Sequence, residues 1–87
     1  MKRLGEKTRR KVTLYTKPGC HLCEEAKEEI EGSGSREFDL VEINIAGDLD
    51  LYERYKNDIP VVLIDGTEAF RHRLTAKEFL QALKQNR

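Results

Sequence analysis

"YTKPGCHLCEEAKEEIEG", residues 15–32, holds both cysteines of the chain, two residues apart, where an apolar run gives way to a charged one. Just upstream, Val12 and Leu14 alternate with Thr13 and Tyr15, so "KVTLYT" (11–16) reads as a strand that Pro18 and Gly19 bring to an end. Downstream, Leu22, Ala26 and Ile30 recur every four residues and glutamates cover the remainder, which predicts an amphipathic helix opening at His21 and stopping at Gly32. The Cys-x-x-Cys pair therefore falls on a strand-to-helix junction, with Cys20 at the start of the helix.

Working outward, "EGSGSRE" (31–37) reads as a loop, and "FDLVEINI" (38–45) as a second strand with Val41, Ile43 and Ile45 on one face and Glu42 and Asn44 on the other. Asp48 is a suitable cap for a short helix through about Lys56, with Leu51, Tyr52 and Tyr55 as its apolar face. Two strand-like runs then flank Asp65-Gly66, a dipeptide suited to the positive backbone angles of a tight hairpin. "TAKE" (75–78) has the form of a capping box and opens a helix carrying Phe79, Leu80 and Leu83. The predicted order is β-α-β-α-β-β-α. Such an order packs best as an α/β fold, a mixed four-stranded sheet with helices on both faces, and right-handed crossover makes the first two strands parallel.

With 87 residues the chain has room for one domain. Sixteen basic side chains balance sixteen acidic ones, so no global field draws it to nucleic acid or to a membrane surface. Residues 1–11 are the exception, with six basic side chains against Glu6 alone, which predicts a flexible basic tail over 1–10 ahead of a domain over 11–87. No apolar h-region of a secretion signal is visible, and no run approaches the length of about 18 apolar residues needed to span a membrane. The expectation is a soluble, cytoplasmic monomer.

Two cysteines make no disulfide scaffold, and in a reducing compartment a close pair is redox-active or metal-binding more often than structural. A thiolate is the attacking species in disulfide exchange, whereas a free thiol with a pKa of about 8.5 is mostly protonated at neutral pH. At a helix start, unpaired backbone N–H groups and the helix dipole stabilise the anion, and Lys17 adds positive charge nearby. Cys20 is thus the expected nucleophile, and Cys23, one turn further in and within bonding reach, the expected resolving thiol. His21 has two readings, a group that raises the thiolate fraction of Cys20 and a solvated first-turn residue.

"TKPGCHLC", with a lysine three residues before the first cysteine, "IP" leading into the third strand, and the "VVLIDG" hairpin together resemble a glutaredoxin of the thioredoxin superfamily, and most of all the short, divergent glutaredoxin-like proteins of bacteria. The resemblance runs from residue 11 to about 86. It implies a thioredoxin-like fold, dithiol exchange through Cys20 and Cys23, a cis Ile59-Pro60 bond facing the pair, and substrate contacts from Lys17, His21, Ile59 and Pro60. It implies no cofactor, with glutathione or a thioredoxin reductase as the source of electrons and a disulfide-containing protein or glutathione as partner. Two departures stand out. His21-Leu22 replaces the Pro-Tyr usual between the cysteines, and "FRHRLTAKE" stands where a Gly-Gly pair usually holds glutathione, leaving Arg71 or Arg73 as candidates to meet a carboxylate.

The competing readings are a soft-metal or iron–sulfur protein and a redox-inert module that binds through the same groove. Small copper chaperones share a Cys-x-x-Cys after the first strand, but in the order β-α-β-β-α-β and with a methionine where this chain has Pro18. Structural zinc needs four ligands, and only His21 and His72 remain beside the cysteines. No metal ligands are therefore assigned.

Overall fold

A computed structural model describes residues 9–85. The elements follow the predicted order: β1 (Arg10–Thr16), α1 (His21–Glu31), β2 (Phe38–Asn44), a 3-10 turn (Ile45–Gly47), α2 (Leu49–Tyr55), β3 (Val61–Ile64), β4 (Thr67–Arg71) and α3 (Ala76–Gln85). The strands form one sheet in the order β2-β1-β3-β4. β1 runs parallel to β2, with Val12 opposite Leu40, and antiparallel to β3, with Leu14 opposite Val62. β3 and β4 form an antiparallel hairpin. This is the expected α/β architecture, with β1 at the centre of the sheet delivering its carboxyl end to the Cys-x-x-Cys.

Local chemistry fixes most of the boundaries. Asp65 and Gly66 take φ values of 52° and 85°, which a two-residue hairpin turn of this hand demands and which asparagine, aspartate and glycine tolerate. Asp48 caps α2 by accepting the Leu51 amide at 3.1 Å. At α3 the capping box is reciprocal: Glu78 donates its amide to the Thr75 hydroxyl and accepts the Thr75 amide, both at 3.1 Å. A third contact, from outside the helix, joins them. Glu29 of α1 accepts the Ala76 amide at 2.7 Å, tying the start of α3 to the neighbouring helix.

The core lies between the sheet and the α1/α3 layer. Val12, Leu14, Val62 and Ile64 from the sheet meet Ala26 and Ile30 of α1 and Phe79 and Leu83 of α3, all buried. Phe38 joins this cluster and packs edge-on against Phe79, ring centroids 5.1 Å apart. One face differs from the expected one. On α1 the buried stripe is Cys23, Ala26 and Ile30, spaced three and four, and Leu22 sits half-buried beside it. On β2 the expected division holds, with Val41 and Ile43 on the face opposite Glu42 and Asn44; it is the latter face, through Phe38 and Leu40, that turns to this core, while Val41 is 40% exposed. Two helices, α1 and α3, pack on the Phe38/Leu40 side, whereas the seven-residue α2 meets the other face, where its Tyr55 lies against Tyr15.

β1 opens at Arg10, inside the segment expected to be a tail. The Arg10 guanidinium donates to the Asp65 carboxylate at the hairpin tip and to the Leu83 carbonyl of α3, joining three elements. Arg9 pairs with Asp39 of β2 at 2.8 Å. Residues 1–8, the rest of the expected tail, lie outside the described residues. No helix among those described is long and apolar enough to cross a membrane.

Candidate active site

Cys20 owes its position to the tetrapeptide Lys17-Pro18-Gly19-Cys20. The Cys20 amide donates to the Lys17 carbonyl at 3.2 Å, closing a turn in which Pro18 occupies the second position and Gly19 the third with φ +81°. A turn of this type needs positive φ at its third position, so glycine is the residue that fits, and proline pre-sets the second. The turn hands Cys20 to α1 as its N-cap, in extended conformation.

The Cys20 sulfur accepts the backbone N–H of Cys23 at 3.2 Å, the role that serine or aspartate plays at other helix starts. Cys20 and Cys23 are joined as a disulfide, Cα atoms 5.2 Å apart. Their exposure differs: Cys20 is partly open to solvent, and Cys23 is buried at 2%. An open sulfur at a helix N-terminus with a buried one behind it can perform sequential thiol exchange.

The other expected site residues divide. His21 is exposed, and its Nε2 lies 3.2 Å from the Glu25 carboxylate one turn along α1, so its contact is with the helix surface. The Lys17 ammonium stands 6.0 Å from the centre of the Tyr52 ring, on whose ring Lys56 also bears at 5.7 Å. Ile59-Pro60 is cis, the isomer the resemblance implies, and Pro60 is buried. The Ile59 amide, however, donates to the Tyr55 carbonyl at 3.1 Å and is committed within the fold.

Two residues read differently from the sequence. Arg71 is engaged by the protein's own carboxylates, Asp58 at 3.0 Å and Glu68 through its Nε, and is withdrawn from the role of meeting a substrate carboxylate. These partners raise its pKa, the Glu68 hydrogen bond most of all, and Glu68 is in turn held below its ordinary value by Arg71. His72 lies just past the end of β4 with φ +72°, its amide donating to the Pro60 carbonyl at 2.8 Å. The imidazole stands 3.9 Å from Asp58. The segment after β4 thereby braces the Ile59-Pro60 loop, and Asp58, which the sequence reading missed, is the hub of that bracing. Tyr55, on the expected apolar face of α2, packs on Tyr15 of β1, centroids 4.9 Å apart.

Beside Cys23 a crevice of about 350 Å³ opens between α1 and the β1/β2 side of the sheet, lined among others by Leu14, Pro18, Glu24, Lys27 and Glu42. Lys27 and Glu42 form an ion pair across it at 2.7 Å. Among the described residues no group of three or more His, Cys, Asp or Glu side chains is placed to hold a metal ion.

Residues 11–84 match the Glutaredoxin-like domain family (DUF836). The "Glutaredoxin-like protein YDR286C homolog" of Dictyostelium discoideum is 36% identical over 70 residues, a match covering 72% of this chain and 65% of that protein, so this chain spans less than two thirds of that relative's length. Among solved structures, protein XcR50 from X. campestris superposes with a TM-score of 0.75 at 24% identity, over 87% of this chain and 99% of that one. Thioredoxin-2 of the malaria parasite superposes with a TM-score of 0.67 at 14% identity, over 98% and 90% of the two chains, a likeness of fold. Cys-x-x-Cys junction, sheet order and family match agree, and the chain belongs to the glutaredoxin-like domain family and has a thioredoxin-like fold.

Proposed function

We propose that this protein is a small dithiol oxidoreductase that reduces or exchanges disulfides through Cys20 and Cys23. The observation that carries the reading is the asymmetry of the pair: an accessible sulfur capping α1 and bonded by a backbone amide, ahead of a buried sulfur one turn on. The Cys20 thiolate attacks one sulfur of a substrate disulfide, and the other leaves as a thiolate that takes a proton from solvent. Cys23 then loses its proton and attacks the Cys20 sulfur, the mixed disulfide breaks, and the second substrate thiol departs. Two electrons have passed to the substrate, and Cys20–Cys23 is the oxidised product.

Substrate would lie along Lys17 and the Ile59-Pro60 loop. Because the Ile59 amide is taken by Tyr55, its carbonyl is the group offered to a substrate backbone. With Arg71 engaged by Asp58 and Glu68, Arg73 is the remaining candidate of this segment to meet a carboxylate. His21 contributes surface next to Cys20. The cycle needs an external two-electron donor, a thiol such as glutathione or a thioredoxin reductase, and hence a reducing compartment such as the cytoplasm. A disulfide-containing protein or glutathione is the partner.

Steady-state reduction of a small disulfide, with glutathione and its reductase or with thioredoxin reductase as donor, tests the proposal. Wild-type protein should turn over with one of the two donors and Cys20→Ser with neither. Wild-type protein inert with both would refute it in favour of a binding module, and equal turnover by Cys20→Ser would refute Cys20 as the attacking thiol.

A further inference from the structure

Cys23 is buried, yet it lines the crevice between α1 and the β1/β2 side of the sheet. Four charged side chains share those walls: Lys17 from the turn after β1, Glu24 and Lys27 from α1, and Glu42 from β2. Lys27 follows Cys23 by four residues, so the two stand one above the other on the same helix face. Glu42 reaches over from the strand and holds the Lys27 ammonium at 2.7 Å. That contact raises the Lys27 pKa above its ordinary value of 10.5, the hydrogen bond that Lys27 donates to Glu42 first and the Glu42 charge second, so Lys27 stays cationic at neutral pH.

On the oxidoreductase reading above, Cys23 has to become a thiolate before it can release substrate from Cys20, and burial opposes that ionisation. We propose that the Lys27–Glu42 pair sets the ionisation of Cys23, Lys27 as the cation that favours the resolving thiolate and Glu42 as the anion that positions Lys27 and tempers its field. The proton of Cys23 leaves to solvent by the crevice. Its sulfur then bonds to that of Cys20, the bond from Cys20 to the substrate sulfur breaks, and the departing sulfur carries the electron pair and takes up a proton. Both residues act on the reaction through Cys23 and touch no substrate.

Opposite charges should push the resolving step in opposite directions, an outcome that mere loosening of the helix does not produce. Reduced protein is mixed with a symmetrical aromatic disulfide whose released thiolate absorbs: the first equivalent reports attack by Cys20, the second resolution by Cys23. Lys27→Met should slow the second phase at neutral pH by about tenfold, the change that one unit of thiol pKa brings, and move its pH profile upward. Glu42→Gln should accelerate it and move the profile downward. Lys27→Arg should behave as wild type, and all three should keep the first phase, which shows that the site is formed. If both neutralising variants shift the second phase in the same direction, or neither shifts it, the inference is overturned. A wild-type protein that releases no first equivalent would overturn the oxidoreductase reading and this one with it.

Discussion

The backbone N–H of Cys23 points at the sulfur of Cys20 from 3.2 Å, which makes the cysteine both the cap of α1 and the chemical tip of the molecule. In the reduced protein that same amide, with the helix dipole behind it, favours a thiolate at Cys20 over a thiol. Titrating the thiolate absorbance of the reduced protein should give one ionisation below the free value of about 8.5, assigned to Cys20 by its loss in Cys20→Ser, and none so low for Cys23. Two indistinguishable ionisations at the free value would leave the helix start without a chemical role.

α3 is held at its start by two acceptors, Thr75 within the chain's own capping box and Glu29 from α1. Thr75→Ala should cost about 1 kcal/mol in urea unfolding, typical for loss of an N-cap. Glu29→Ala removes a different partner from the same helix end and should destabilise as well. Because both act on one helix terminus, the double variant should lose less than the sum of the singles if the remaining cap already frays α3. Strict additivity would mean that the two acceptors hold the helix separately.

Acid should loosen the hairpin tip. Asp65 is held below its ordinary value of 3.8, first by the Lys11 amide donating to it at 2.9 Å and then by the Arg10 guanidinium. A carboxylate whose folded pKa lies below its unfolded one contributes stability that is complete above the unfolded pKa and disappears as pH falls through the folded one. The contribution should therefore be intact at neutral pH and decline below about pH 4. Asp65→Asn keeps a residue that tolerates positive φ but cannot ionise. It should be less stable than wild type at neutral pH, and the difference should narrow as the pH is lowered. A constant difference across that range would show that the ionised carboxylate is not what ties β1 to the hairpin.

Where the chemistry is local, it was legible in the sequence: Asp65-Gly66, the Thr75/Glu78 box, the Asp48 cap and the cysteines at a strand end are each specified by neighbours within four residues. What escaped depends on partners far along the chain. No local signal says that Asp58 engages Arg71 or that Glu29 reaches Ala76, since each pairing exists only after the sheet and helices have packed. β2 divides its residues between the two faces as the alternation predicts, but which face meets the core was not legible for the same reason. Both of its faces carry apolar residues, and only the unequal coverage by α1 and α3 on one side and α2 on the other decides that Phe38 and Leu40 turn to the core while Val41 stays open.

The division of labour between the two cysteines is tested most directly by trapping. Reduced Cys23→Ser, incubated with a disulfide substrate, should accumulate a covalent adduct through Cys20, read as an added half-substrate in the intact mass and removed by a reducing agent, because the resolving thiol is gone. Cys20→Ser should remain at its own mass, its remaining sulfur buried at 2% exposure. An adduct on Cys20→Ser with none on Cys23→Ser would contradict the account and make Cys23 the attacking thiol.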